Sequence, residues 1–145
     1  MQPGRKDEMS RSGYSDSYDY DQNWSRICYR GAIKSAFRGK RGQDFFCKMI
    51  TALDAMPVKE LIAKDLQKPS GAVCALGAVG IFAEIDMTAL DPEDIESVAH
   101  AFGIATAMAR EIVFENDEAV YCDESPSQRW HRMRNWAGGQ LVNLP

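Results

Sequence analysis

Apolar residues recur every three or four positions along most of the chain, a spacing that predicts helices and not strands. The first such run covers 24–37 and stops at RGKRG, a predicted loop in which two glycines frame three basic residues. The second run places Phe45, Met49 and Leu53 on one stripe as far as Pro57, and VKELIAKDL then resumes the pattern. This part of the chain therefore predicts two helices and a further helical stretch after the proline.

The most apolar stretch, AVCALGAVGIFAEI at 72–85, follows a turn at KPSG. Its residues are small and apolar on every side, which favours a buried helix. Two internal glycines and several β-branched residues leave a strand as the alternative.

Start and stop signals predict the remaining helices. Asp91 can cap a helix that has Pro92 in its first turn and runs to about Ala101. Gly103 then supplies a turn, and IATAMAREIVFE continues as a helix to about Glu115. A capping box in ESPSQ opens the last helix, which frays at the paired glycines 138 and 139.

The sum of these elements is an all-α fold, a compact single-domain bundle of six to seven short helices with a disordered N-terminal arm. Residues 1–23 form the arm, because SRSGYSDSYDYDQN is rich in Ser, Gly, Asp and Tyr and has no helical or strand period. Residues 24–145 form the helical domain. The 145 residues, 45% of them hydrophobic, suffice for one domain with its own core.

The net charge of −4 conceals a strong asymmetry along the chain. Residues 22–48 hold seven Lys or Arg against one acid, whereas 82–124 hold twelve acids against one arginine. Such a chain can bind a phosphate-rich partner at one end and a basic partner at the other, or it can pair the two halves inside the fold.

The basic cluster at the end of the first helix and in the RGKRG loop is a candidate anion or nucleic-acid site, since glycines let backbone amides approach a phosphate. The last helix adds arginines interleaved with tryptophans, a mixture that can stack bases and contact phosphates, although the same helix can instead dock on the core through Trp130 and Met133. The candidate residues are Arg30, Lys34, Arg38, Lys40, Arg41, Arg129, Arg132, Arg134 and Trp136.

The stretch VAHAFGIATAMAREIV at 98–113 has the spacing of a helix-turn-helix within residues 92–115, with small Ala99 at the crossing and Gly103 in the turn. A recognition helix also needs polar groups toward the DNA, and here only Arg110 and Glu111 are polar on the outer positions. The acidic flanks would repel phosphates. The pattern therefore favours two packed core helices.

One pattern indicates an enzyme. Glu93-x-x-Glu96 followed by Glu115-x-x-Glu118 resembles the magnesium motif of the all-α nucleoside triphosphate pyrophosphohydrolases, in which paired carboxylates bind Mg²⁺. The resemblance covers about twenty-six residues, and Glu118 replaces the closing aspartate of that family. Otherwise the sequence shows no catalytic residues, no metal site and no need for a cofactor, so an enzyme is the less favoured hypothesis.

The phrases AFRGKRGQDFF, ALDAMPVKELIAKDL, FENDE and ESPSQRWHRMRNW resemble the style of small uncharacterised proteins encoded by tailed bacteriophages. That resemblance implies expression in a bacterial host and a role in takeover or counter-defence. The first functional hypothesis is therefore a binding protein that modulates or inhibits a host protein. Nucleic-acid binding is the alternative.

An acidic surface that faces basic host proteins would serve this first hypothesis. Its members are Glu111, Glu115, Asp117, Glu118, Asp123 and Glu124. The four cysteines lack metal-binding or disulfide spacing, and no apolar run is long enough to cross a bilayer. These features predict a cytoplasmic protein without a membrane partner.

Overall fold

The computed structural model describes residues 11–13, 23–120 and 123–142, and it confirms the all-α fold. Its six helices are α1 (Asn23–Arg38), α2 (Lys40–Ala55), α3 (Ala75–Phe82), α4 (Ile95–Phe102), α5 (Thr106–Glu118) and α6 (Pro126–Gln140). Within these ranges, β pairing is limited to an isolated β-bridge between Gln67 and Val73. No helix in the described ranges has the length and apolar character needed to span a membrane.

Helix α2 lies against α1, α3 and α6. The predicted stripe is confirmed, because Phe45, Met49 and Leu53 are buried together with Phe46. The Phe46 ring meets the rings of Phe37 and Trp136 edge-on, at centroid distances of 4.8 and 5.6 Å. These contacts join the middle of α2 to α1 and α6, and they form one half of the core.

Helix α5 forms the other half, because it contacts α1, α3, α4 and α6. Met108, Ala109, Ile112 and Val113 are buried, and none of its thirteen residues is fully exposed. The stretch at 98–113 is therefore two core helices joined at Gly103, which adopts the left-handed conformation at φ 69°. Helix α5 therefore lacks the exposed face with which a recognition helix enters a DNA groove, since its residues are all buried or partly buried.

The predicted RGKRG loop is wrong in its extent, since only Gly39 interrupts the helices and α2 begins at Lys40. The close approach of the two helices explains the difference. A Cβ atom on Gly42 would lie 1.9 Å from the carbonyl oxygen of Ala36, so glycine lets α2 rest directly on the last turn of α1. This contact sets the basic residues at the end of α1 beside those at the start of α2.

The predicted helical stretch after Pro57 is also wrong, because residues 57–74 contain no helix. Their backbone groups pair with distant segments. Leu61 donates its N–H to the carbonyl of Pro126 at 3.0 Å, and Ile62 donates to Val73 at 2.8 Å. Leu61 and Leu66 are buried, so apolar residues of this non-helical segment join the core.

The stretch at 72–85 contains helix α3 and not a strand. The Cys74 side chain caps it, since Sγ accepts a hydrogen bond from the N–H of Gly77 at 3.4 Å. Gly77 permits a close approach, because a Cβ atom there would lie 2.0 Å from the carbonyl oxygen of Leu66. Helix α3 therefore packs directly on the backbone of the non-helical segment 57–74 at Leu66.

The starts of α4 and α6 test two predicted helix caps, of which the first is corrected and the second is confirmed. Helix α4 starts later than predicted, because Asp94 accepts a hydrogen bond from the N–H of Ser97 at 3.3 Å, whereas Asp91 closes the turn before it. The capping box of α6 is confirmed, with Ser125 and Gln128 bonded reciprocally. Helix α6 does not fray at the paired glycines, since it continues to Gln140.

Substituting Gly42 by Ala tests the α1–α2 contact. We expect Gly42→Ala to lower the free energy of unfolding by about 1–3 kcal/mol, since the methyl group would meet backbone atoms that cannot move aside cheaply. Gly31→Ala is the matched control within α1, because its Cβ meets no atom within 4 Å and alanine favours helices. Chemical denaturation of both variants measures the difference, and equal stability of the two would contradict the contact.

Candidate functional site

Three basic residues follow one face of α1. Arg30, Lys34 and Arg38 are exposed and stand four residues apart, as the sequence predicts. They line a cleft of about 500 Å³ whose apolar residues include Ile33 and Phe37. Its far side is the end of α6 and the residues after it, 139–142.

A second cleft, of about 400 Å³, lies at the start of α2. Lys40, Arg41 and Lys48 are exposed around it, and the rings of Phe45 and Phe102 are among its apolar lining residues. Both clefts therefore combine lysine or arginine with apolar and aromatic groups.

We call these six exposed cations the basic surface: Arg30, Lys34, Arg38, Lys40, Arg41 and Lys48. Lys40 pairs with Asp44 at 2.8 Å, in an exposed contact that raises the pKa of the lysine. None of the other five forms a salt bridge with a residue that the structure describes. Asp44 and Glu111 are the acids among the described residues lining the two clefts, so positive charge dominates there.

The arginines of α6 do not join the basic surface, because acids on the protein hold them. Arg132 donates two hydrogen bonds to Glu124, at 2.7 and 3.0 Å, and lies 3.4 Å from Glu115. Arg129 lies 3.4 Å from Glu124, and Arg134 makes two 3.1 Å hydrogen bonds to Asp54.

Trp136 is half-buried, with its ring against Phe37 and Phe46 at 5.8 and 5.6 Å. Trp130 is buried and donates its indole N–H to the carbonyl of Leu53 at 3.2 Å. The tryptophans of α6 therefore dock the helix on the core. Of the nine predicted nucleic-acid residues, five lie on the basic surface and four make internal contacts.

The predicted acidic surface is also largely occupied by internal contacts. Asp117 accepts two hydrogen bonds from Arg11, and Glu118 accepts one from Ser12. Glu115 and Glu124 pair with Arg132, while Glu111 lines the α1 cleft and Asp123 is exposed. Glu115, Asp117, Glu118 and Glu124 are thus balanced by the N-terminal residues and α6, whereas Glu111 lies among the cations of the α1 cleft.

The pKa values of the two glutamates that pair with Arg132 are shifted in opposite directions. The hydrogen bond from Arg132 lowers the pKa of Glu124, and its charge acts in the same direction. Burial raises the pKa of Glu115 above its ordinary value, despite the nearby charge of Arg132. Arg132 is therefore matched mainly with Glu124.

Arg11 is the residue that sequence analysis missed. Its guanidinium is buried with Asp117, and the bonds from Nε and Nη2 measure 2.6 and 2.8 Å. Asn116 continues this cluster, accepting from the N–H of Ala75 at 3.1 Å and donating to the carbonyl of Ile62 at 2.9 Å. No local pattern could signal the contact, because the paired residues are 106 positions apart. Residues 11–13 thus pack on the domain, and the rest of the predicted arm, 1–10 and 14–22, lies outside the described residues.

The carboxylates of the predicted magnesium motif do not form one site. Glu93 and Glu96 are exposed at the start of α4, whereas Glu115 and Glu118 are held at the other end of α5 by Arg132 and Ser12. Within the described part of the chain, no three His, Cys, Asp or Glu side chains are grouped so that they could hold a metal ion.

Comparison of the chain with protein-family models, with curated proteins and with solved structures finds no match. The function is therefore inferred from the chemistry of the surfaces described above.

Removing Arg11 tests the buried pair. We expect Arg11→Ala to lower the free energy of unfolding by roughly 3 kcal/mol, because it leaves the Asp117 carboxylate buried without its cation. Removing both groups in Arg11→Ala/Asp117→Ala should cost less than the sum of the single changes. Lys40→Ala is the control, since its pair with Asp44 is exposed and its loss should change little. Equal effects of Arg11→Ala and Lys40→Ala in chemical denaturation would count against the pair.

The lowered pKa of Glu124 gives a prediction about pH. A carboxylate whose pKa is lower in the folded state stabilises the fold above its unfolded pKa, and this contribution is lost as the pH falls through the folded pKa. The free energy of unfolding should therefore fall more steeply for the wild type than for Glu124→Gln between about pH 6 and about pH 3. The Glu124 charge also raises the pKa of Glu115, so the same difference should persist when both proteins carry Glu115→Gln. Parallel pH curves would refute the predicted role of Glu124.

Proposed function

We propose that this protein binds nucleic acid through the basic surface and contacts the phosphate backbone. The observation that carries the proposal is the group of five exposed cations without a salt bridge to the described residues, on a chain whose net charge is −4. Elsewhere the arginines of α6 and Arg11 are matched by carboxylates. Clustered cations without a carboxylate partner attract polyanions, and their binding releases the counterions condensed on the polyanion.

The length of the basic surface favours a polymer over a small anion. Arg30 and Arg38 are separated by eight residues of helix, or about 12 Å. One nucleic-acid strand presents a phosphate about every 3.4 Å along a duplex axis, so α1 can contact several phosphates. The second cleft extends this contact around the α1–α2 junction.

The side chains of the basic surface favour binding that does not depend on base sequence. They are lysines and arginines, which contact phosphates and so position a nucleic-acid backbone. Gln43 on α2 is not available to contact bases, because its side chain already donates to the carbonyls of Phe37 and Gln140. The apolar residues inside the clefts, such as Phe37 and Phe45, can contact sugars or unpaired bases.

The hypothesis of a phage-encoded modulator of a host protein stays a prediction. It relies on the acidic segment as a contact surface, and four of those six carboxylates make internal contacts. Five of the six cations of the basic surface make no salt bridge with the described residues, which is why nucleic-acid binding is the better supported proposal.

The salt dependence of binding tests the proposal. Fluorescence anisotropy with labelled duplex DNA, single-stranded DNA and RNA at about 50 and about 200 mM salt should show binding that weakens by orders of magnitude at the higher concentration. The triple variant Arg30→Ala/Lys34→Ala/Arg38→Ala should bind more weakly. Its salt slope should fall by roughly 0.7–0.9 for each phosphate that the variant no longer neutralises.

Lys64→Ala/Lys68→Ala is the matched control, because these two exposed lysines lie between α2 and α3 and line neither basic cleft. Its affinity and salt slope should stay close to those of the wild type. Lack of binding at the lower salt concentration, or an unchanged slope in the triple variant, would refute the proposal.

A further inference from the structure

Apolar side chains gather at a third surface, far along α2 from the basic surface. Val58, Ile81 and Phe82 are 59%, 52% and 48% exposed, and all three line one groove of about 560 Å³. Val142 completes the set of large exposed hydrophobic residues in the described ranges, and it lies at the α1 cleft. Exposed apolar residues are ordinary when they are scattered, but three around one groove indicate a contact surface.

The groove is formed by the end of α2, the non-helical segment 57–74 that follows it and the last turns of α3. Met56, Ile62 and Val73 are among its other lining residues. The groove forms here because α2 ends before Pro57 and the non-helical backbone then passes beside α3. The groove is therefore built into the core packing and needs no rearrangement to form.

The charges at the groove are negative. Glu60 is the one ionisable side chain in the described lining, it is exposed, and it makes no salt bridge with the described residues. Helix α3 ends at the groove, and a helix C-terminus carries partial negative charge, whereas Lys59 neutralises the end of α2. The nearby Lys59 supplies no cation for a ligand, because its Nζ is bonded to the carbonyls at the end of α2 and lies 5.3 Å from the Trp130 ring.

We propose that this groove docks an amphipathic α-helix of another protein, one that presents large apolar side chains flanked by Lys or Arg. The apolar face would fill the groove between Val58 and Phe82, and the flanking cations would meet Glu60 and the end of α3. This partner site is separate from the basic surface and does not depend on it.

The sign of the charge favours such a partner over a copy of this chain. A second copy packed groove against groove would bring the same Glu60 and the same α3 end against their equals, which costs free energy. Residues 14–22 fit no better, since YSDSYDYDQ holds three aspartates and no Lys or Arg. A basic helix is the occupant that matches both the apolar lining and the charge.

Synthetic peptides can test this assignment directly on the full chain. The probes are a helical Leu/Lys peptide with one apolar face, a Leu/Glu peptide with the same pattern, and a scrambled Leu/Lys peptide of the same composition. Fluorescence anisotropy should show the patterned Leu/Lys peptide binding at least roughly tenfold more tightly than either of the others. Glu60→Lys should reduce this preference.

The double variant Ile81→Ser/Phe82→Ser should abolish binding of the patterned Leu/Lys peptide. Both positions are exposed, so the variant should fold, and circular dichroism checks this. Val142→Ser is the matched control, because it also removes an exposed hydrophobic side chain but lies outside the groove, and it should bind like the wild type.

Three results would overturn the inference. The first is no binding of the patterned peptide, or equal binding of the scrambled one. The second is binding that survives Ile81→Ser/Phe82→Ser. The third is a dimer in analytical ultracentrifugation that this double variant dissociates, because the groove would then be covered by a second copy.

Discussion

Burial of one face of α2 is the interaction on which both proposed surfaces depend. Phe46 and Met49 in the middle of the helix are fully buried between α1, α3 and α6, and the aromatic contacts to Phe37 and Trp136 hold three helices at one point. Because the middle is enclosed, the two ends of the helix come to the protein surface. The first end carries Lys40, where α1 adds its own cations through the Gly42 contact, and the last end opens the apolar groove. One packed helix therefore determines where both surfaces lie.

The parts of the fold that sequence reasoning predicts well are those set by neighbours within a few residues. The stripe of Phe45, Met49 and Leu53 identifies α2 because its period is that of a helix with one buried face. The Ser125 capping box is equally local. The segment after Pro57 shows the opposite case. Its apolar residues have helical spacing, but the N–H groups of Leu61 and Ile62 donate to the carbonyls of Pro126 and Val73. These partners lie too far along the chain for a local pattern to predict them.

The same limit applies to charge. The sequence predicts a basic and an acidic half correctly, but it does not show which charges are matched by a partner in the fold. Arg11 lies in a stretch with the composition of a disordered arm, yet it is buried against Asp117. The sequence predicts that Arg132, which lies between two tryptophans, contacts nucleic acid. In the fold it forms salt bridges with Glu124 and Glu115 instead. Lys34 and its neighbours on α1 keep their predicted role as anion-site candidates because the described acids near them are few. Pairing across the chain, and not composition, decides which charges remain for a partner.

The two ends of α2 are far enough apart to be used at the same time. The sixteen residues of the helix span about 24 Å, which is more than two Debye lengths at physiological ionic strength. A polyanion bound near Lys40 and Arg41 would therefore be screened from Glu60, whereas Lys48 lies only seven residues, or about 10 Å, before the end of α2. A shorter central helix would bring the two surfaces within range, and a basic partner helix would then compete with the protein's own cations for the nucleic acid. The length of α2 would thus give the proposed nucleic acid and the proposed partner helix separate places on one small domain.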